Sequence, residues 1–195
     1  VISKIIMENS KSKSKSSNGF KIAILGKMCS GKTTLCNKID NYVDGTVARL
    51  SFAKKVKDLA TELFGMSTDP QKKNRKLTVD IGTKMREIDP NVWANYTAEE
   101  SDSYEYVLID DLRYNNEYER LRERGFIIIK LVIDEELQLK RLKETYPDTW
   151  QIHRKYAGHS SENDLWTRPD SDFDLVLQSS NNDTNFEIVR KYINS

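Results

Sequence analysis

Residues 20–39 read FKIAILGKMCSGKTTLCNKI, and the fold follows from how this stretch is divided. Phe20 to Gly26 is a short apolar run ending in glycine, the pattern of a buried strand. Lys32 to Ile39 has the spacing of an amphipathic helix. Between them, GKMCSGKT (Gly26 to Thr33) matches G-x-x-x-x-G-K-[ST] in full, in the strand–loop–helix context that the pattern requires. Gly26 permits the turn off the strand, and Gly31 permits close approach of the backbone to oxygen ligands. The amides of this loop are expected to converge on a phosphate at a helix N-terminus. Lys27, Met28, Cys29, Ser30 and Thr34 complete the predicted phosphate loop. Lys32 is expected to reach the β- and γ-phosphates of a nucleoside triphosphate, and Thr33 to ligate magnesium.

Outward from the loop, four more strands are expected: Val47–Ser51, Tyr106–Asp111, Phe126–Ile133 and Phe173–Ser180. The third of these, FIIIKLVI, is rich in β-branched residues, as in a strand covered on both faces. Helical periodicity fills the intervals. In AKKVKDLATELFG, residues Val56, Leu59, Ala60, Leu63 and Phe64 form one stripe, and Gly65 is a natural stop. NNEYERLRERG, DEELQLKRLKE and NDTNFEIVRKYI each follow an expected strand. This alternation predicts an α/β three-layer sandwich with a central, mostly parallel, five-stranded sheet. Residues 66–104 carry helical character without a clear strand and are read as a helical insertion. Residues 143–168 form a long connection read as lid-like. Residues 1–19 include a Ser/Lys-rich stretch with too little apolar area to order itself, so a flexible segment is expected.

Composition narrows the function classes. The 195 residues carry 31 Lys plus Arg against 30 Asp plus Glu, a net charge of +1. This argues against a stable nucleic-acid partner or a polybasic membrane binder. No apolar run approaches a membrane span, and VISKIIMENS has no signal-peptide pattern. Two cysteines seven residues apart form neither a metal spacing nor a disulfide framework. A cytoplasmic setting is therefore expected. His153 and His159, six apart, are poor evidence for zinc.

A second chemical signal ends the Tyr106 strand. LIDDLRYNNEYERL places Asp110 and Asp111 at the carboxyl edge of a parallel sheet, which faces the ligand crevice. Either acid suits a magnesium ion or its water shell. Adjacent strand residues point to opposite faces, and the sequence does not choose between them. Arg113 follows within reach of a second phosphate.

The ordered set of motifs resembles the deoxynucleoside monophosphate kinases of phages and large DNA viruses, which are themselves similar to animal phosphomevalonate kinases. Both groups share a P-loop nucleoside-monophosphate-kinase-like fold. The resemblance spans most of residues 20–190. It rests on LSFAKKVKD (Leu50 to Asp58), on DIGTKMREIDPNVWANY (Asp80 to Tyr96), on an Asp-x-Arg-x-x-x-Glu signature at Asp111, Arg113 and Glu117, and on HSSEND (His159 to Asp164). It implies ATP- and Mg²⁺-dependent phosphorylation of a small phosphorylated acceptor. Ser51, Phe52, Lys54, Arg86, Trp93, Asp111, Arg113, Glu117, Ser161 and Glu162 would stand on the acceptor side. Arg141 or Arg154 would close over the transferring group. The chain departs from the group at Thr33, where relatives often carry Asp, and at QSSNND (Gln178 to Asp183), which lacks a glycine often found near the adenine.

The expected reaction is phosphorylation of a deoxynucleoside monophosphate to the diphosphate. Two alternatives stand beside it: phosphomevalonate phosphorylation, and a non-kinase nucleotide-binding switch. The switch lacks a guanine-reading Asn-Lys-x-Asp element. A homodimer is compatible with either enzyme reading, and the sequence does not decide base specificity.

Overall fold

The computed structural model describes residues 19–69, 74–156 and 164–195. The segment before residue 19 and the expected site residues His159, Ser161 and Glu162 lie outside these.

Five strands form one sheet in the order β2-β3-β1-β4-β5: β1 (Phe20–Gly26), β2 (Val47–Leu50), β3 (Tyr106–Leu112), β4 (Ile127–Val132) and β5 (Leu175–Gln178). Every pairing is parallel. All five expected strands are present, within two residues at each end of those read from the sequence. The connections carry α1 (Lys32–Tyr42), α2 (Phe52–Phe64), α3 (Arg75–Ile88), α4 (Val92–Ser101), α5 (Asn115–Glu123), α6 (Glu135–Thr145), α7 (Trp150–Tyr156) and α8 (Asn182–Ile193). Among these, α3 and α4 fall in the segment read as a helical insertion, and α7 in the lid-like connection.

The strands are apolar on both faces because both faces are covered. Ala23, Leu25, Val107, Ile109 and Ile128 pack with Phe52, Ala98, Tyr118 and Leu121 of α2, α4 and α5 on one side. Ile22, Ile24, Leu108, Ile129 and Leu131 pack with Leu35, Ile39 and Val189 of α1 and α8 on the other. Each such fully buried aliphatic side chain contributes roughly 1.5–3 kcal/mol. The result is the expected three-layer α/β sandwich.

Helix α2 departs from its predicted stripe. Phe52, Val56 and Ala60 are buried, but Leu63 and Phe64 are 66% and 61% exposed. The last turn of the helix therefore leaves its apolar side chains open to solvent. Gly65 ends the helix as expected, in the left-handed conformation at φ 64°.

One irregularity matters for the site. In the β1–β3 pairing, Ala23 lies opposite Ile109 but Leu25 lies opposite Leu112. A single residue of β1, Ile24, therefore spans two of β3, Asp110 and Asp111. An extra residue of this kind bends the strand and re-aims its side chains.

Candidate functional site

The loop between β1 and α1 is held in shape by its glycines and by side chains from distant elements. A Cβ on Gly26 would lie 2.6 Å from Ser30 Oγ. Gly31 has φ +92°, and a Cβ there would lie 2.8 Å from the Asn182 amide. Glycine meets both demands, having no Cβ and free access to positive φ. Cys29 adopts φ 61° without being glycine. Burial raises its thiol pKa above the ordinary value, so it is not set up as a reactive thiolate.

Three successive loop carbonyls are braced from outside. Gln138 Nε2 donates to the Met28 carbonyl at 3.0 Å. Arg141 donates to the Cys29 carbonyl at 3.2 Å. The Ser179 hydroxyl donates to the Ser30 carbonyl. Arg141 also donates to Ser179 Oγ at 2.9 Å and to its carbonyl at 2.8 Å, tying α6 to the end of β5. Gln138 and Arg141 stand three apart on one face of α6. That spacing is visible in the sequence, but its target is not.

Lys32 Nζ donates to the carbonyls of Gly26 and Lys27, at 2.6 and 2.8 Å. Its ammonium is thus held over the mouth of the loop. Thr33 Oγ1 donates to Asp110 Oδ2 at 2.9 Å. Asp111 points elsewhere: it accepts the Ser51 hydroxyl at 2.6 Å and the backbone N–H groups of Phe52 and Ala53 at 3.2 and 3.1 Å. A carboxylate in this place satisfies the orphan amides at the start of α2 and complements the positive end of the helix. The bulge in β3 thus separates the two acids, sending Asp110 to the phosphate loop and Asp111 to α2. The sequence reading puts Asp111 among the catalytic residues, the metal ligands and the acceptor side, and Ser51 and Phe52 at the acceptor. Here they form this cap, with Phe52 buried in the core.

A cleft of about 580 Å³ opens over the loop, lined by Gly26, Met28 to Thr34, Arg113, Arg141, Glu144, Thr145, Tyr146 and Asn182. This is an ordinary size for a small-molecule site. It contains all but Lys27 of the predicted loop residues, together with two of the predicted arginines. Lys27 instead sets its ammonium 5.6 Å from the Trp166 ring centroid.

Arg113 is delivered by a tight corner between β3 and α5. Glu117 Oε2 accepts the backbone N–H of Arg113 at 2.9 Å and of Tyr114 at 3.1 Å. Glu117 is 3% exposed. Burial pushes its carboxyl pKa up to about 8. The two amides oppose that shift, Asp111 adds to it, and Arg86 opposes it. Arg86 lies over the Tyr114 ring at 4.7 Å, beside the corner that carries Arg113.

Other expected site residues are placed differently. Trp93 is 3% exposed, and its indole N–H donates to the Gly82 carbonyl at 3.1 Å. It packs the α3–α4 junction rather than presenting a ring face to a ligand. Lys54 pairs with Asp58 on the surface of α2. Arg154 lies outside the cleft lining; it faces Glu135 at 3.4 Å and is 54% exposed.

Sequence reasoning missed Glu144, Thr145, Tyr146 and Asn182 in the cleft lining, and Gln138 and Ser179 as braces of the loop carbonyls. It also missed the link from Arg49 to Asp110, at 3.4 Å.

A family profile described as AAA domain matches residues 22–155, which spans the phosphate loop, both acids of β3 and the arginine of α6. The chain belongs to the AAA domain family. Within this AAA domain the matched region carries β1 to β4 and the loop-bracing face of α6. No curated protein matches the sequence. The fold is shared with solved structures of low identity. An uncharacterized protein from Eubacterium ventriosum ATCC 27560 aligns with TM-score 0.58 at 15% identity, covering 90% of this chain and 98% of that one. APS kinase of Mycobacterium tuberculosis, in complex with AMPPNP and APS, aligns with TM-score 0.56 at 12% identity, covering 91% and 99%. Shikimate kinase of Acinetobacter baumannii, in complex with shikimate, aligns with TM-score 0.55 at 18% identity, covering 91% and 94%. This AAA domain therefore has a P-loop kinase-like fold.

Among the described residues no helix is long and apolar enough to cross a membrane, and no group of three or more His, Cys, Asp or Glu is placed to hold a metal. The oxygen pair at Thr33 and Asp110 suits a different arrangement. Mg²⁺ is commonly held by one or two protein oxygens, with water and substrate phosphates completing its shell.

Proposed function

We propose that this protein transfers the γ-phosphoryl group of ATP to the phosphate of a deoxynucleoside monophosphate. The observation that carries the reading is the contact between Thr33 and Asp110 at the foot of a cleft that Arg113 and Arg141 also line. Loop amides and Lys32 would take the triphosphate, and the Thr33 hydroxyl and Asp110 carboxylate fit a magnesium ion. When bound, that ion would neutralise charge on the phosphates. Arg113, which lines the cleft, and Arg86, over the neighbouring Tyr114 ring, suit the dianionic phosphate of an acceptor.

An oxygen of the acceptor phosphate attacks the γ-phosphorus, and the bond from that phosphorus to the β–γ bridging oxygen breaks. ADP leaves with the bonding electrons, and the acceptor becomes a diphosphate. The nucleophile is already ionised, so no general base is needed. The chain's contribution is alignment of the two substrates and cancellation of their mutual repulsion. The fold shared with two named kinases supports phosphoryl transfer to a small molecule, and the resemblance of the Asp-x-Arg-x-x-x-Glu element supports a phosphorylated acceptor.

A panel of deoxynucleoside monophosphates plus phosphomevalonate, assayed for ADP release with ATP and Mg²⁺, tests this. Turnover is expected on at least one deoxynucleotide and not on phosphomevalonate. Turnover on phosphomevalonate alone, or on no acceptor, would refute it.

A further inference from the structure

We propose that Arg49 is a built-in cation that competes with the divalent metal for Asp110, and so sets how strongly metal and nucleotide reinforce each other's binding. The inference rests on the reading of the phosphate loop as a nucleotide site and of Thr33 and Asp110 as its metal donors.

Arg49 stands on β2, the edge strand beside β3. One end of its guanidinium donates to Asn37 Oδ1 on α1 at 3.1 Å. The other end reaches Asp110 Oδ2 at 3.4 Å. The same oxygen accepts the Thr33 hydroxyl. The guanidinium is therefore tethered between α1 and β3, with its charge directed at the carboxylate that would face the metal. The Arg49 and Asp110 side chains are 30% and 26% exposed, so water screens their attraction less than on an open surface.

Beneath them the charge balance is tight. Cys36 is wholly buried, and burial foremost pushes its thiol pKa up to about 12, with smaller opposing effects from the charges of Arg49, Asp110, Lys32 and Asp40. It stays neutral and adds no anion. Asp110 is the carboxylate that the Arg49 guanidinium reaches. A divalent cation arriving at Asp110 meets a carboxylate already partly neutralised, and a fixed positive charge beside it. Loss of the Arg49 charge should therefore strengthen the metal's hold. A pair of this partial exposure makes the effect about 3- to 10-fold.

The test measures the affinity of the intact protein for AMPPNP by calorimetry, with and without Mg²⁺. The ratio of the two dissociation constants is the metal–nucleotide coupling. In Arg49→Gln this ratio is expected to rise about 3- to 10-fold over wild type, and in Arg49→Lys, which keeps the charge, to stay within about 2-fold. A ratio in Arg49→Gln that is unchanged or lower overturns the proposal. Asn37→Ala releases the tether while leaving Arg49 in place. It is expected to raise the ratio by a smaller factor, and decides the matter if Arg49→Gln does not fold. Wild-type protein that binds no AMPPNP, with or without metal, overturns the nucleotide reading itself and the arginine's role with it.

Discussion

Glu117 holds Arg113 by its backbone: one buried carboxylate oxygen accepts the amide of Arg113 at 2.9 Å and that of its neighbour Tyr114 at 3.1 Å. The arginine's place at the cleft thus depends on an acid that is 3% exposed, and stability is expected to depend on pH through this acid. Its pKa is pushed from 4.5 to about 8 by burial. Between those values the unfolded chain releases this proton while the folded chain keeps it. The folded state then binds more protons, so this group's contribution to stability falls as pH rises through the interval and levels off above about 8. In urea unfolding, wild type should lose ground to Glu117→Gln from pH 5 to pH 8. A constant difference between their midpoints would show that Glu117 is ionised in the native protein.

The two acids of β3 should separate in mutagenesis. Asp110→Asn is expected to weaken Mg²⁺-dependent AMPPNP binding about tenfold or more, with little change in melting temperature. Asp111→Asn removes the charge from a cap that takes one hydroxyl and two amides. It should cost about 1–2 kcal/mol of stability, read as a fall in the urea midpoint. Its metal dependence should remain near wild type. Calorimetry and urea denaturation on the same two variants check both halves, and a reversed pattern would exchange the roles given to these residues.

Lys32→Ala should reduce turnover on the accepted deoxynucleotide by about 10²- to 10³-fold, since a cation aimed at the transferring group acts where charge develops. The hydrogen bonds of Lys32 run to the carbonyls of Gly26 and Lys27. The sheet does not depend on them, so circular dichroism and melting temperature should stay close to wild type. Near-normal ADP release from the variant would remove Lys32 from the mechanism.

Trp93 is a test of packing against binding. Trp93→Ala empties a buried indole site and should cost about 3–5 kcal/mol. Trp93→Phe keeps the volume nearly filled but leaves the Gly82 carbonyl without the indole donor, at a cost of about 1–2 kcal/mol. Acceptor KM for Trp93→Phe should stay within about 2-fold of wild type. A large rise in KM with stability unchanged would return this ring to the acceptor site.

The fold was legible because its signals are local. Apolar runs at Phe20, Tyr106 and Phe126 announce doubly covered strands, and the glycine spacing of residues 26–33 announces the turn between the first of them and α1. The division of labour between Asp110 and Asp111 was not legible. It follows from a pairing irregularity opposite Ile24, and pairing register is a property of two strands rather than one. Leu63 and Phe64 fit the helical period of α2, yet the period states which face they occupy and not whether that face is covered. Trp93 matched a motif position, but burial is decided by α3 and α4 packing together. Gln138, Arg141 and Ser179 converge on the loop from sites more than 100 residues away along the chain, a distance at which no local pattern speaks.

That convergence has a consequence for recognition. In a trans peptide the N–H points opposite to the C=O. With the carbonyl oxygens of Met28 and Cys29 held by α6 and that of Ser30 by the end of β5, the amides of Cys29 and Gly31 turn the other way, while that of Ser30 donates to the Lys27 carbonyl at 3.2 Å. The receptor for an anion is therefore shaped while the chain folds. The entropy of ordering it is lost at that stage and not at each encounter with a ligand.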